Sequence, residues 1–254
     1  MSTSTAPAAV RIEHVSMRYG RSPVLALSDV DMVVHEGEFV CFLGRSGCGK
    51  STLLSLVAGL EEATSGSIDH GGRRVGMMFQ DSGLFPWLTV EGNIELALRL
   101  SGIPRAIWKD RVAELLDVVR LPGVQKKRPH ELSGGMRQRV ALARTLAQDC
   151  QILLMDEPFA SLDAITRDAM HDEIERIAAE KALTVLFVTH NVREAVRLGD
   201  RVVLMQPGPG RVASELAVQL PRPRRMDDPE IAVRAARLHD LLEEQNTLPQ
   251  EVAA

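Results

Sequence analysis

The spacing of apolar positions divides the chain into stretches of different period. Arg11 to Tyr19 alternates imperfectly and predicts a strand, and Val24 to Val34 predicts another, closed by the turn His35-Glu36-Gly37-Glu38. Phe39 to Leu43 is an unbroken apolar run, the mark of a strand covered on both faces. A loop follows over Gly44 to Gly49. Ser51 to Ala58 then predicts a helix, with Gly59 at its C-cap. From Thr89 the pattern is helical. Val90 to Leu100, Ala106 to Val119 and Ser133 to Gln148 each carry the 3.6-residue period, and the second places Trp108, Val112, Leu115, Leu116 and Val119 on one face. From Gln151 strands return in alternation with helices. Ile152 to Met155, Thr184 to Thr189 and Arg201 to Met205 predict strands, and Ile165 to Ala178 predicts a helix. Such alternation implies a parallel α/β sheet with a helical insertion. The stretch Pro207-Gly208-Pro209-Gly210 is a turn, Pro221 to Arg225 an extended, solvated linker, and Pro229 to Gln245 a terminal amphipathic helix. Residues 1–10 are small and polar and predict a frayed end.

Composition narrows the class. With 254 residues, 45% hydrophobic and 25% charged, the chain can bury a full core. A net charge of −4 argues against a general nucleic-acid binder. Three cysteines, Cys41, Cys48 and Cys150, are an odd number without metal-ligand spacing, which fits a reducing compartment rather than a disulfide framework. The amino terminus has no basic start or apolar core, and no apolar run approaches the ~20 residues of a spanning helix. Arginine outnumbers lysine 25 to 5 among the 30 basic side chains, so each lysine stands out.

One of those lysines closes Gly44-Arg45-Ser46-Gly47-Cys48-Gly49-Lys50-Ser51, a complete match to the phosphate-loop pattern. A polyphosphate needs many donors in a small concave space. Glycines let backbone N–H groups turn inward, the following helix contributes its positive end, Lys50 supplies a mobile charge, and Ser51 can ligate Mg²⁺. A plain glycine-rich turn is the alternative, but the apolar strand before the loop and the helix after it speak for phosphate binding. Farther on, Ile152-Leu153-Leu154-Met155-Asp156-Glu157 runs four apolar residues into two carboxylates. That places Asp156 at the carboxyl edge of a sheet, where it can hold Mg²⁺ through water, with Glu157 as general base toward an attacking water.

Between these motifs stands Leu132-Ser133-Gly134-Gly135-Met136-Arg137-Gln138. Together they make the chain similar to the ATP-binding subunit of an ABC transporter over roughly residues 11–215. The resemblance implies a RecA-like P-loop NTPase: an α/β fold with a mostly parallel sheet, an N-terminal antiparallel β subdomain and an inserted helical subdomain. The implied core is 11–88 and 151–215, the helical subdomain 89–150, and 216–254 a C-terminal linker and helix. It also implies ATP and Mg²⁺ as ligands and an ATP hydrolase working as a translocase. ATP contacts fall on Tyr19, stacking on adenine, and on Gly44 through Thr52. Ser133, Gly134, Gly135 and Met136 face the partner's ATP in a head-to-tail homodimer. Gln80 is implied as the residue that meets Mg²⁺ and water, Ser161, Leu162 and Asp163 as the loop crossing the dimer interface, and His190 as the switch near the γ-phosphate. Met136 stands where glutamine is frequent and Asn191 where aspartate is common, but neither change removes a phosphate or metal ligand.

A narrower likeness, to the nitrate/sulfonate/taurine importer group, rests on the stretch Leu84 to Leu98, on Leu220-Pro221-Arg222-Pro223-Arg224 and on the short terminal helix. It implies uptake of a small anionic solute through a separate integral membrane permease, which Phe85 and Trp87 would meet. An extracytoplasmic solute-binding protein would act indirectly, and the subunit would sit peripherally on the cytoplasmic face of the inner membrane, with no nucleic acid involved. The rival is a non-transport ABC ATPase acting on DNA or ribosomes. Against it, only 106 residues separate Lys50 from Asp156, without sustained heptads, and the chain carries a single cassette.

Overall fold

A computed structural model describes residues 6–20 and 22–247. Residues 1–5, half of the expected frayed end, lie outside the described residues. The other half is not frayed, because the first strand starts at Ala8 and already buries Ala9 and Val10. The chain forms two compact units, residues 1–72 with 184–254, and residues 73–183.

In the first unit, β1 (Ala8–Met17) pairs antiparallel with β2 (Leu27–His35) and with β4 (Ser65–Asp69). Alternate positions of β1 and β2 are buried, among them Val10, Ile12 and Val15 against Val30, Met32 and Val34. The alternation is imperfect because the register slips between Ile12 and Val15, where His14 takes a φ of 51°. Asp29, across the ladder, also adopts a positive φ of 50°. These two irregular residues bring the His14 ring to 3.0 Å from Asp29 and 3.1 Å from Asp31 on the exposed face. The polar strand β4 carries no hydrophobic signal. It fits because Gly66, at φ 85°, has no Cβ to drive into the carbonyls of Glu13 and His14, which lie within 2.5 Å of where that atom would be.

The same unit holds β3 (Phe39–Leu43), β7 (Thr184–Thr189), β8 (Arg201–Gln206) and β9 (Arg211–Ala217). The first three are parallel, with β3 between β7 and β8, and β9 adds antiparallel to β8. Every residue of β3 and β7 is buried, as continuous apolar runs require. The helices of this unit are α1 (Lys50–Val57), α6 (Val192–Leu198) and α7 (Pro229–Thr247).

The second unit carries the parallel pair β5 (Val75–Met78) and β6 (Ile152–Asp156). With them go the helices α2 (Val90–Leu100), α3 (Trp108–Val118), α4 (Gly134–Leu146) and α5 (Ala164–Glu180). Glu173 on α5, 1% exposed, accepts from Arg176 at 2.8 Å and lies 3.3 Å from Arg120 and 3.8 Å from Arg139. A buried carboxylate is tolerable only with such compensation.

One residue of the tail departs from the expected solvated linker. Arg224 is 3% exposed, and its guanidinium is surrounded by backbone carbonyls. Arg222 lies over the Phe39 ring at 5.8 Å and reaches Asp200 at 2.9 Å. Arg224 is thus buried with a carbonyl-saturated head, whereas Arg222 and Arg225 are exposed, as a solvated stretch requires. The three cysteines are free and buried, and no helix among the described residues is long and apolar enough to cross a membrane.

The Asp29 and Asp31 carboxylates hold the His14 imidazole above its ordinary pKa of 6.5. The contribution of this pair to stability is therefore complete below the ordinary value and is lost as pH rises through the raised one. An NMR titration of His14 is expected to give a midpoint above 6.5, and Asp29→Asn to bring it down; a midpoint unmoved by the substitution means the pair does not persist in solution.

Candidate functional site

The loop from Gly44 to Gly49 leaves the carboxyl end of β3, and His190 leaves the carboxyl end of β7. Because Leu43 pairs with Thr189, the two chains emerge side by side. The loop is shaped by close packing against its own unit. A Cβ on Gly44 would fall 2.5 Å from the Met205 carbonyl oxygen, and one on Gly49 would fall 2.5 Å from Leu27 Cδ2. Gly47 and Gly49 also take φ values of 81° and 92°, which side chains with a Cβ rarely adopt. Gly210, the last residue of the Pro-Gly-Pro-Gly turn, sits directly behind: its Cβ would be 2.4 Å from the Cys48 carbonyl. The sequence marks that turn but gives no sign of its second task, supporting the phosphate loop.

Lys50 is 6% exposed, and its ammonium donates to the carbonyls of Gly44 at 2.7 Å and Arg45 at 3.0 Å, with Cys48 Sγ at 3.5 Å. The charge is thus held at the centre of the loop. Helix α1 begins there on Gly49 with no side-chain cap and no acidic residue in its first turn. α2, α4, α5 and α6 are capped by Thr89, Ser133, Asp163 and Asn191, and α3 carries Asp110 in its first turn. The first-turn donors of α1 and its positive end are therefore left to an anion. Ser51 is exposed at this end, and Tyr19, 45% exposed, donates from its hydroxyl to Thr52 Oγ1 at 3.3 Å. The unit so gathers Tyr19, Arg45, Ser46, Lys50, Ser51, Thr52 and His190 on one edge.

In the second unit the same logic operates. Met78 pairs with Met155, so Gln80 and the pair Asp156-Glu157 leave neighbouring parallel strands at the same edge. Glu157 takes a φ of 44°, a left-handed backbone uncommon for a glutamate. Strain of this kind costs about 1–3 kcal/mol and gathers at functional positions. The Gln80 carbonyl accepts from the buried Gln138 side chain of α4 at 2.9 Å. Arg144 of α4 donates to the carbonyls of Gly83 at 2.6 Å and Ser82 at 2.9 Å, and burial lowers its pKa from the ordinary guanidinium value. Sequence reasoning missed both residues, since a polar side chain on a helix carries no signal of the loop it will hold.

Beyond that loop, buried Asn93 accepts from the Phe85 N–H at 2.8 Å and donates to the Phe85 and Thr89 carbonyls at 3.2 and 2.9 Å. It fixes a turn on which Trp87 is 68% exposed, whereas Phe85, also expected to meet the permease, is half-buried with its ring 5.4 Å from the indole. Ser133 Oγ caps α4 by accepting from the Met136 N–H at 3.3 Å. Gly134 is half-buried, and Gly135 is buried where a Cβ would lie 2.4 Å from Thr166 Cγ2, so the second signature glycine also lets α4 and α5 approach. Of the three loop residues Ser161, Leu162 and Asp163, only the first and last are exposed, and Leu162 is 6% exposed. Asp163 caps α5 through the Thr166 N–H at 3.0 Å, and that hydrogen bond lowers its carboxyl pKa.

Known proteins resemble this chain over most of its length. The family model for ABC transporters matches residues 27–160. A nitrate import ATP-binding protein of Synechocystis sp. is 46% identical over 79% of this chain and 78% of its own length. An aliphatic sulfonates import ATP-binding protein of Bacillus licheniformis is 42% identical over 87% of this chain and 88% of its own. Among solved structures, a dimeric ATP-binding cassette in a post-hydrolysis state with ADP and phosphate superposes with a TM-score of 0.74, at 30% identity, over 83% of this chain and 99% of that one.

Gly49→Ala places a Cβ both at a positive φ and within 2.5–3.0 Å of Leu27 and Ala26. At roughly 2 kcal/mol of strain it is expected to lower the melting temperature by about 4–8 °C and to weaken nucleotide binding; calorimetry together with a nucleotide titration checks both.

Proposed function

This chain belongs to the ABC transporter family as an ATP-binding, ATP-hydrolysing domain, and on that premise we propose that it powers an importer of a small anionic solute of the nitrate/sulfonate kind. The phosphate loop with its uncapped helix is the observation that carries the ATP-binding part of this reading. The importer part rests on the two importer relatives and on the exposed Trp87 turn.

In the proposed mechanism the loop N–H groups and Lys50 take the β- and γ-phosphates, and Tyr19 stacks on adenine. Ser51, Asp156 and Gln80 are the residue types that hold Mg²⁺, being hard oxygen donors. The metal, when bound, neutralises charge on the phosphates. Glu157 accepts a proton from water as the water oxygen bonds to the γ-phosphorus and the bridging P–O bond breaks toward the β-phosphate. His190 stabilises the γ-phosphate oxygens during that step. The signature residues Ser133, Gly134, Gly135 and Met136 meet the nucleotide of a second copy, and the loop Ser161 to Asp163 borders that homodimer. ATP binding closes two copies, and loss of the γ-phosphate lets them open, a two-state change driven by differential binding. A separate membrane permease, touched through Phe85 and Trp87, converts the motion to transport, and a solute-binding protein delivers cargo from outside. The subunit thereby resides at the inner face of the membrane. The domain division into a core of 11–88 and 151–215, a helical subdomain of 89–150 and a tail of 216–254 belongs to the same proposal.

Glu157→Gln is expected to cut hydrolysis by ~10²–10⁴-fold, the range for a lost general base, while leaving ATP-dependent dimerisation detectable by gel filtration. Full turnover in that variant would remove Glu157 as base. With the cognate permease in proteoliposomes, Phe85→Ala with Trp87→Ala is expected to reduce solute uptake far more than basal hydrolysis. Equal losses of both would identify the two rings as packing alone.

A further inference from the structure

Helix α6 follows His190 and Asn191 directly and has 7 residues. So short a helix is marginal by itself and depends on how its ends are satisfied. Its N-terminus is held locally. Asn191 Oδ1 accepts from the N–H groups of Arg193 at 3.0 Å and Glu194 at 3.2 Å, Thr189 Oγ1 accepts from Asn191 N–H at 3.0 Å, and the Thr189 hydroxyl donates to Glu194. At its C-terminus the Gly199 N–H donates to the Ala195 carbonyl at 2.9 Å, but Gly199 is extended rather than left-handed, so the glycine cap that closes the later carbonyls does not form.

That end is closed from the tail. Arg224 Nη1 donates to the carbonyls of Val196 at 2.9 Å, Arg197 at 3.2 Å and Gly199 at 2.6 Å. The other side of the same fork holds its own strand exit, with Nη2 donating to Leu220 at 2.9 Å and to Val218 at 3.3 Å, and Nε to Leu220 at 3.2 Å. Arg197 Nε returns a bond to the Arg224 carbonyl at 3.0 Å. Beyond this knot α7 packs on α6. Its Ala232, Ala235 and Ala236, with His239, form one wall of a cleft of about 540 Å³ whose other wall is His190 to Arg193. Small side chains leave room beside the histidine, and the arginine knot, about 10 Å away along α6, fixes the helix to which that histidine is joined.

We propose that Arg224 is a positioning residue for hydrolysis: by capping α6 from the tail it sets where His190 stands relative to the phosphate loop. This rests on the reading of His190 given above, and it makes the C-terminal segment part of the nucleotide-sensing machinery. A planar fork that closes several carbonyls at once is a task for arginine, which lysine, a single point donor, performs poorly.

The test uses the full chain. In Arg224→Ala, kcat for ATP is expected to fall about tenfold with KM changed less than twofold, since the loop that binds the nucleotide is untouched. Arg224→Lys should lose less in the same sense, and it serves if the alanine variant does not fold. Arg225→Ala, next door but exposed and paired with Asp227 at 3.2 Å, is the control and should leave both constants unchanged. A second readout needs no hydrolysis: in nucleotide-free protein the His190 ring NMR signals should move in Arg224→Lys while those of Tyr19 stay. Moved signals in a protein that never hydrolyses ATP would support the positioning and defeat the ATPase reading. Unmoved His190 signals, or unchanged kcat in a folded variant, overturn the inference.

Discussion

The register of the buried parallel strands is the constraint on which the rest depends. β3 is apolar throughout and β7 is apolar between its two terminal threonines, and with every position of both strands buried neither can slip by a residue without exposing or crowding side chains on both faces. Their pairing of Leu43 with Thr189 fixes where the next residues emerge, and those residues are the phosphate loop and the histidine. The pairing of Met78 with Met155 does the same for Gln80, Asp156 and Glu157 in the other unit. The chemistry sits mostly on loops and the first turn of α1, with Asp156 closing β6, but its geometry is inherited from the buried strands.

A second theme is how those loops stay in place. Loops and helix ends leave carbonyls unpaired, and burial of such groups is expensive. This chain meets the need with arginine again and again: Arg144 on the loop after Gln80, Arg167 on the carbonyls of Phe159 at 3.2 Å and Leu162 at 2.7 Å, Arg137 on Leu132 at 2.7 Å, and Arg224 on the end of α6. The excess of arginine over lysine therefore has a structural reading. A forked donor that stays charged when buried can close several carbonyls at once, whereas a lysine holds its charge at one point. Lys50 serves as that point charge, drawn inward by Gly44 and Arg45.

Much of this was legible in the sequence, for physical reasons. Phe39–Leu43, Val90–Leu100 and Thr184–Thr189 have the expected bounds because their patterns are strong and their ends are punctuated by glycine or caps. β4 and β9 were not foreseen: their residues are mostly polar or exposed, and what places β4 is a glycine fitting under a bulge that no local pattern announces. α6 was too short to show a period. The motif residues of the site were readable because phosphate and metal chemistry demands particular types at fixed spacing. Their supports Gln138, Arg144 and Arg224 were not, since each acts on a partner distant in the chain, and Asn93, whose partners lie within eight residues, was not because its type is ordinary for a surface. Arg224 escaped the solvated-linker expectation for that reason: an arginine beside a proline looks solvated until the carbonyls it serves are known.

The burial of all three thiols has a practical side. Burial, with Glu194 nearby, pushes the Cys41 thiol well above its ordinary value, and burial pushes that of Cys150 up to about 11, so neither presents a thiolate at neutral pH. Cys48 is enclosed under the loop and fully shielded from solvent. The native chain is therefore a quiet background for attaching probes, because a single cysteine introduced on the outer surface would be the one thiol within reach of a maleimide dye, and movements of the tail or the tryptophan turn could be followed without first stripping the protein of its own sulfur.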